Sequence, residues 1–135
     1  MSTGNRCLSV VLLAIVLKVI PHAAQRYDTV GDWRWQGDTL QIRVSREVGA
    51  KNPDFITLVF VHEAIEAILC RHDGITTSQV DAFDMAFKGD AQPGDDPAAP
   101  YHRQHQAAER IERQLATALG VKWSDYEKAL DRIHQ

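Results

Sequence analysis

Along this chain the spacing of apolar positions changes from a strand period to a helix period near residue 50. VLKVIP (16–21) reads as a first core strand, and Gly31 to Trp35 runs into QGD (36–38), a turn signal. TLQIRVS (39–45) alternates Leu40, Ile42 and Val44 against Gln41, Arg43 and Ser45, the pattern of a strand with one buried and one wet face. From there KNPDFITLVFVHEAIEAILCRHDG (51–74) predicts a long helix. Asn52 suits its N-cap, Pro53 its first position, Asp54 its positive end, Arg71 and His72 its negative end, and Gly74 its stop. TTSQVDAFDMAFKG (76–89) repeats the logic, with Thr77 or Ser78 as cap, Val80, Phe83 and Phe87 as a face, and Gly89 as terminator. The segment 89–100, with three prolines and two glycines, is a loop. A third helix is expected from about Tyr101 to Leu119, ending at Gly120, and a last one from Ser124, with Glu127 in capping-box spacing. Strands first and helices after predict an α+β fold: a small antiparallel sheet in the N-terminal third, packed against about four helices. No internal repeat or low-complexity tract interrupts it.

Length and charge narrow the classes. At 135 residues the chain fits one domain with its own core, placed over residues 16–135. A formal net charge of −3 gives no general attraction to nucleic acid or to an anionic membrane. Two cysteines, Cys7 and Cys70, are too few for a disulfide scaffold, which points to a reducing setting, the cytoplasm of a host cell. LSVVLLAIVLKVI (8–20) is shorter than the roughly 20 residues of a membrane span. Residues 1–15 are taken as a leader, either non-native or disordered. Alternatively residues 1–24 form a signal peptide, with Ala23-Ala24 near the cleavage point, and the protein is exported.

The candidate chemistry lies in VHEAIEAIL (61–69), where ionisable residues enter an apolar helical run. At about 100° per residue, Phe55, Leu58, Val59, Ile65 and Leu69 fall within about 60° of His62. Glu66 lies one turn above His62 on that stripe and Glu63 at its border. The third helix repeats the arrangement. Ala108, Ile111, Leu115 and Leu119 form its apolar side, and His105, Glu109 and Glu112 lie on or beside its border. Two helices each offer an imidazole and a carboxylate toward a shared interior.

A divalent metal accounts for this pattern, since its charge offsets the cost of burying these groups. His62, Glu66 and His105 are the candidate ligands, with zinc as the expected ion and magnesium or manganese as alternatives. Glu63 is the candidate general base. Glu109 or Glu112 would orient His105 or add a ligand, and His102 is a spare ligand candidate. An ordinary His–Glu ion pair is the competing reading of each pair. Cys70, four residues past Glu66, reads better as a core residue than as a ligand.

HEAIE (62–66) resembles the HExxH helix of zincin metalloproteases, with Glu66 in place of the second histidine. A longer likeness joins QRYDTVGDW (25–33), IRVS (42–45), HEAIEAILC (62–70), VDAFDMAF (80–87) and PGDDPAAPYHRQH (93–105). In this succession the chain resembles small uncharacterised proteins of phages and prophages. That resemblance implies a phage-derived α+β protein and brings no activity with it.

Three functions are therefore carried forward. The first is a divalent-metal hydrolase acting on a peptide, amide or phosphoester. The second rests on a resemblance to all-α nucleotide pyrophosphohydrolases, whose ExxE and ExxD motifs gather magnesium: Glu63, Glu66, Asp81 and Asp84 stand at the matching positions, with aspartate replacing one glutamate. The third is a non-enzymatic phage accessory protein that binds a phage or host partner. His72-Asp73 resembles the pair of His-Asp phosphohydrolases, but Gly74 directly after it points to a helix end. The loop PGDDPAAPYH (93–102) is either an exposed connector or a rigid segment that sets the register of His105. Asp84 shares the face of Val80 and Phe83 and is a further ligand candidate, and Tyr101 is a candidate lid or hydrogen-bond donor at the site.

Overall fold

The computed structural model describes residues 11–89 and 91–133. The leader expected over residues 1–15 lies mostly outside them. Three strands, β1 (Ala14–Ile20), β2 (Gly31–Gln36) and β3 (Thr39–Ser45), precede four helices. These are α1 (Asp54–His72), α2 (Thr77–Ala86), α3 (His102–Ala118) and α4 (Trp123–Ile133). The α+β expectation holds. No described helix is long and apolar enough to cross a membrane.

The sheet has the order β1-β3-β2. β2 and β3 form an antiparallel hairpin through Gly37–Asp38, with Trp33 opposite Ile42. β1 pairs with β3 in parallel, Leu17 opposite Ile42, so the sheet is mixed where a wholly antiparallel one was expected. Residue alternation shows which side chains share a face, but not which strands become neighbours. Here the connector 21–30 carries the chain past β3, so that β1 and β2 flank it on opposite edges.

Leu40, Ile42 and Val44 are fully buried on the face covered by α1, together with Phe55, Leu58, Val59, Ala67 and Cys70. VLKVIP does form a strand, but not a core one: Val16, Leu17 and Val19 are 39%, 40% and 43% exposed. The reason is that α1 lies over β2 and β3 and stops short of the outer strand. The hairpin also grips α1 near its C-terminus. Trp35 Nε1–H donates to the Ala67 carbonyl at 3.2 Å, and the Arg71 guanidinium lies 4.1 Å from the Trp35 ring centroid.

The helix ends differ from expectation by a residue or two. Asn52 Oδ1 accepts the Asp54 N–H at 3.0 Å as foreseen, but Pro53 occupies the N-cap. α2 is capped by Thr76, in a reciprocal capping box with Gln79, rather than by Thr77 or Ser78. Ser124 lies inside the first turn of α4, which begins at Trp123. α1 and α3 end before Gly74 and Gly120, whose φ values of 77° and 71° suit residues without a Cβ.

The orientation of α1 is directly testable. Leu58→Ala, at a position with no exposure, should lower stability by about 2–5 kcal/mol. Ile68→Ala, at a position 37% exposed, should change it by no more than about 0.5 kcal/mol. Urea unfolding measures both, and equal effects would mean that α1 faces the sheet differently.

Candidate metal centre

The packing that buries the apolar stripe of α1 takes His62 and Glu66 into the interior with it, and α3 likewise buries His105 and Glu112 beside Ala108 and Ala116. Where the two helices meet, three atoms converge. His62 Nε2 lies 3.2 Å from Glu66 Oε2 and 3.1 Å from His105 Nδ1, which is itself 2.9 Å from Glu66 Oε2. His62, Glu66 and His105 are 7%, 5% and 4% exposed, so water does little to screen them.

The outward-facing atoms of these residues are engaged elsewhere. His62 Nδ1–H donates to Glu112 Oε1 at 2.7 Å, and the other oxygen of Glu112 accepts the Tyr126 hydroxyl. His105 Nε2–H donates to Asp95 Oδ1 at 3.0 Å. Glu66 Oε1 accepts Trp33 Nε1–H at 2.9 Å. An imidazole that gives its proton outward to its carboxylate keeps a lone pair on the inner nitrogen. Two lone pairs and a carboxylate oxygen then face one another at about 3 Å. This arrangement needs a positive charge at its centre.

A proton or a metal ion meets that need. Burial works against charging His62, but hydrogen bonds to the carboxylates of Glu112 and Glu66 outweigh it and hold the imidazole well above its ordinary pKa. Burial likewise opposes ionisation of Glu66, yet the adjoining His105 and His62 imidazoles keep its carboxyl at about 2. A metal also fits. The three atoms are mutually 2.9–3.2 Å apart, close enough for His62, Glu66 and His105 to hold one ion between them. His62, Glu66 and His105 form a buried group that can hold a metal ion. A second group, Asp95, His105 and Glu109, shares His105 but lies nearer the surface.

The other candidate residues fall into place around this centre. Glu112 orients His62, not His105; the residue that orients His105 is Asp95, which sequence reasoning did not single out. Glu109 is ion-paired with Arg113 at 3.2 Å. Asp84 accepts from the hydroxyls of Tyr101 and Tyr27, the latter at 3.0 Å. Burial, reinforced by the charge of Asp84, pushes both phenols up and keeps them donors, while burial raises the Asp84 carboxyl to about 6. Asp81 is held by the Arg26 guanidinium at 3.1 Å, so the carboxylates proposed to gather magnesium are partly committed elsewhere. Cys70 is a core residue, and His102 Nδ1–H donates to the Gly94 carbonyl at 2.9 Å.

Glu63 stands apart from the pairing. Its side chain lies against β2, where a Cβ on Gly31 would come within 2.8 Å of Glu63 Cγ and Cδ, and no hydrogen bond or ion pair holds its carboxylate among the described residues. Burial, and after it the charge of Glu66, push this carboxyl well above the usual range. Glu63 and the three converging residues line one cleft of about 830 Å³, walled also by Asp84 and Tyr101.

The loop before α3 sets the register of His105. Gly94 packs so closely on the His105 ring that a Cβ would overlap it, and Tyr101 presents its ring edge to the same imidazole, with centroids 6.3 Å apart. Gly94→Ala should therefore weaken binding of a divalent metal at least about tenfold, as loss of ligand support does elsewhere. Competition with a chromophoric chelator reads this, and unchanged affinity would show that the loop does not hold His105.

Asp84 supplies a pH test. Its folded pKa of about 6 exceeds its ordinary 3.8, so the native state binds the extra proton between these values and stability falls as pH rises through them. Asp84→Asn removes that loss. Its stability relative to native protein should improve between about pH 4.5 and pH 7 in urea titrations, and a constant difference would contradict the assignment.

No protein-family model, no curated protein and no solved structure matches the chain.

Proposed function

We propose that the chain is a zinc-dependent hydrolase in which His62, Glu66 and His105 hold the ion and Glu63 is the general base. One observation carries this reading. Three buried ligand atoms face a common point, and the outer nitrogens of both imidazoles are already committed to carboxylates. Two nitrogens and one oxygen suit zinc better than magnesium, which prefers oxygen ligands throughout. A bound ion of this kind supplies Lewis acidity and brings a water molecule within reach of deprotonation near neutral pH.

The protein's own residues do the rest. Glu112 and Asp95 keep the imidazoles in the ligating tautomer, and Trp33 occupies one oxygen of Glu66 so that the other points inward. Glu63, unpaired on the cleft wall, accepts the proton of the attacking water and passes it to the leaving group. The pyrophosphohydrolase reading has less support, because Asp81 is spent on Arg26 and Asp84 on two tyrosines. The likeness of segments 25–33, 42–45, 62–70, 80–87 and 93–105 to phage proteins supports a phage or prophage origin and is silent on the bond cleaved.

Elemental analysis of protein purified without added metal tests the centre. About one zinc per chain is expected in the native protein, and almost none in His105→Ala. Glu63→Gln should retain the zinc and lose at least about a hundredfold in hydrolysis. Metal-free protein, with His105→Ala merely less stable, would make the cluster a buried ion-pair network and favour the accessory-protein reading.

A further inference from the structure

We propose that the cleft beside the metal centre takes a cationic peptide, one that carries a lysine or arginine side chain near the bond presented to His62, Glu66 and His105. The proposal rests on the hydrolase reading for the bond that is cut, but not for the charge that is preferred.

The chain has fifteen lysines and arginines, and none of them lines this cleft. Eleven aspartates and glutamates do. Some are engaged from behind: Arg26 bonds Asp32 at 2.8 Å and Asp81 at 3.1 Å, and the two imidazoles contact Glu66, Glu112 and Asp95. Four have no cationic partner among the described residues: Glu63, Asp84, Glu127 and Asp131. Glu127 and Asp131 stand one turn apart on α4, exposed at the cleft rim, an arrangement that helices disfavour because like charges meet at that spacing.

A divalent ion on the triad would add two charges and Glu66 removes one, which leaves too little to offset Asp84, Glu127 and Asp131 even without Glu63. The cleft therefore keeps a negative field, and its low-dielectric walls concentrate that field. A phosphoester or nucleotide would enter with no guanidinium or ammonium to receive it. A basic side chain, by contrast, is drawn in and has carboxylates to meet. The size and wall of the cleft favour a peptide over a small amine. Its volume of about 830 Å³ exceeds one side chain, and Gly31, Asp32 and Trp33, which line it, belong to β2, an outer strand of the sheet and the kind of element that accepts an extended chain.

The test uses full-length, zinc-loaded Glu63→Gln protein, so that peptides bind without turnover. Three blocked heptapeptides identical except for a central Lys, Gln or Glu are titrated calorimetrically, at about 50 mM and about 0.3 M salt. The lysine peptide should bind roughly tenfold more tightly than the glutamine peptide and the glutamate peptide most weakly, with the spread shrinking at high salt. Adding E127Q and D131N, both at exposed positions, should cut the lysine preference at least about threefold while zinc content stays constant. Equal affinities, a preference for glutamate, or no peptide binding would overturn the proposal. Zinc content of the same samples separates the two ideas: zinc held with charge-blind binding sinks this proposal alone, whereas a lysine preference in protein that never takes zinc sinks the hydrolase reading alone.

Discussion

The structure is organised around a point of electrostatic conflict. His62 Nε2, His105 Nδ1 and Glu66 Oε2 are held within about 3 Å of one another, with both imidazole protons turned outward. Uncompensated, this would cost several kcal/mol, because buried lone pairs and a buried carboxylate repel where water does not screen them. A positive charge at the centre reverses the sign. Without metal, a proton on His62 serves, which is why that imidazole is held well above its ordinary pKa. A divalent ion held by His62, Glu66 and His105 would supply the same positive charge in place of the proton. The same geometry therefore reads as a salt-bridged core or as a metal centre, according to which cation wins.

Holding three repelling atoms together demands a rigid frame, and the frame comes from parts of the chain distant in sequence. The β2–β3 hairpin contributes two tryptophans that fasten α1, Trp33 to Glu66 and Trp35 to the Ala67 carbonyl. α4 contributes Tyr126, which saturates the second oxygen of Glu112 so that its first stays on His62. The loop before α3 contributes Asp95 and the bare backbone of Gly94 against the His105 ring. Each support uses up an outward-facing atom, and only the inner atoms remain unspent.

Much of this was legible in the sequence where a period carries the information. His62 and Glu66 on the buried stripe of α1 follow from a rotation of about 100° per residue, whereas on α3 the same rotation placed His105 and Glu112 only at the border of an apolar side whose Ile111 and Leu119 are exposed. The period says which way a side chain points but not what it meets across an interface, which is why Glu112 was matched to His105 when it serves His62. Asp95 lies in an aperiodic loop, and only the rigidity implied by its flanking prolines hinted that the segment positions His105. The parallel pairing of β1 and the exposure of Leu17 were not readable at all, since an apolar alternation looks the same whether or not a helix lies above it.

The number of ligands says something about the kind of site. A structural zinc site is closed by four protein ligands, whereas a catalytic one keeps a position open. Three residues near this centre could have closed it by type and spacing. Cys70 stands one turn beyond Glu66 but is folded into the core. His102 stands one turn before His105 but spends its ring N–H on the Gly94 carbonyl. Glu109 stands one turn after His105 but is paired with Arg113. Cys70 and His102 are committed elsewhere and Glu109 groups with Asp95 around His105, so none of the three joins His62, Glu66 and His105, which share one cleft with Glu63. A site built only to stabilise the fold would have gained by recruiting any of them, and this supports the proposed reading of chemistry on a molecule that enters from the cleft.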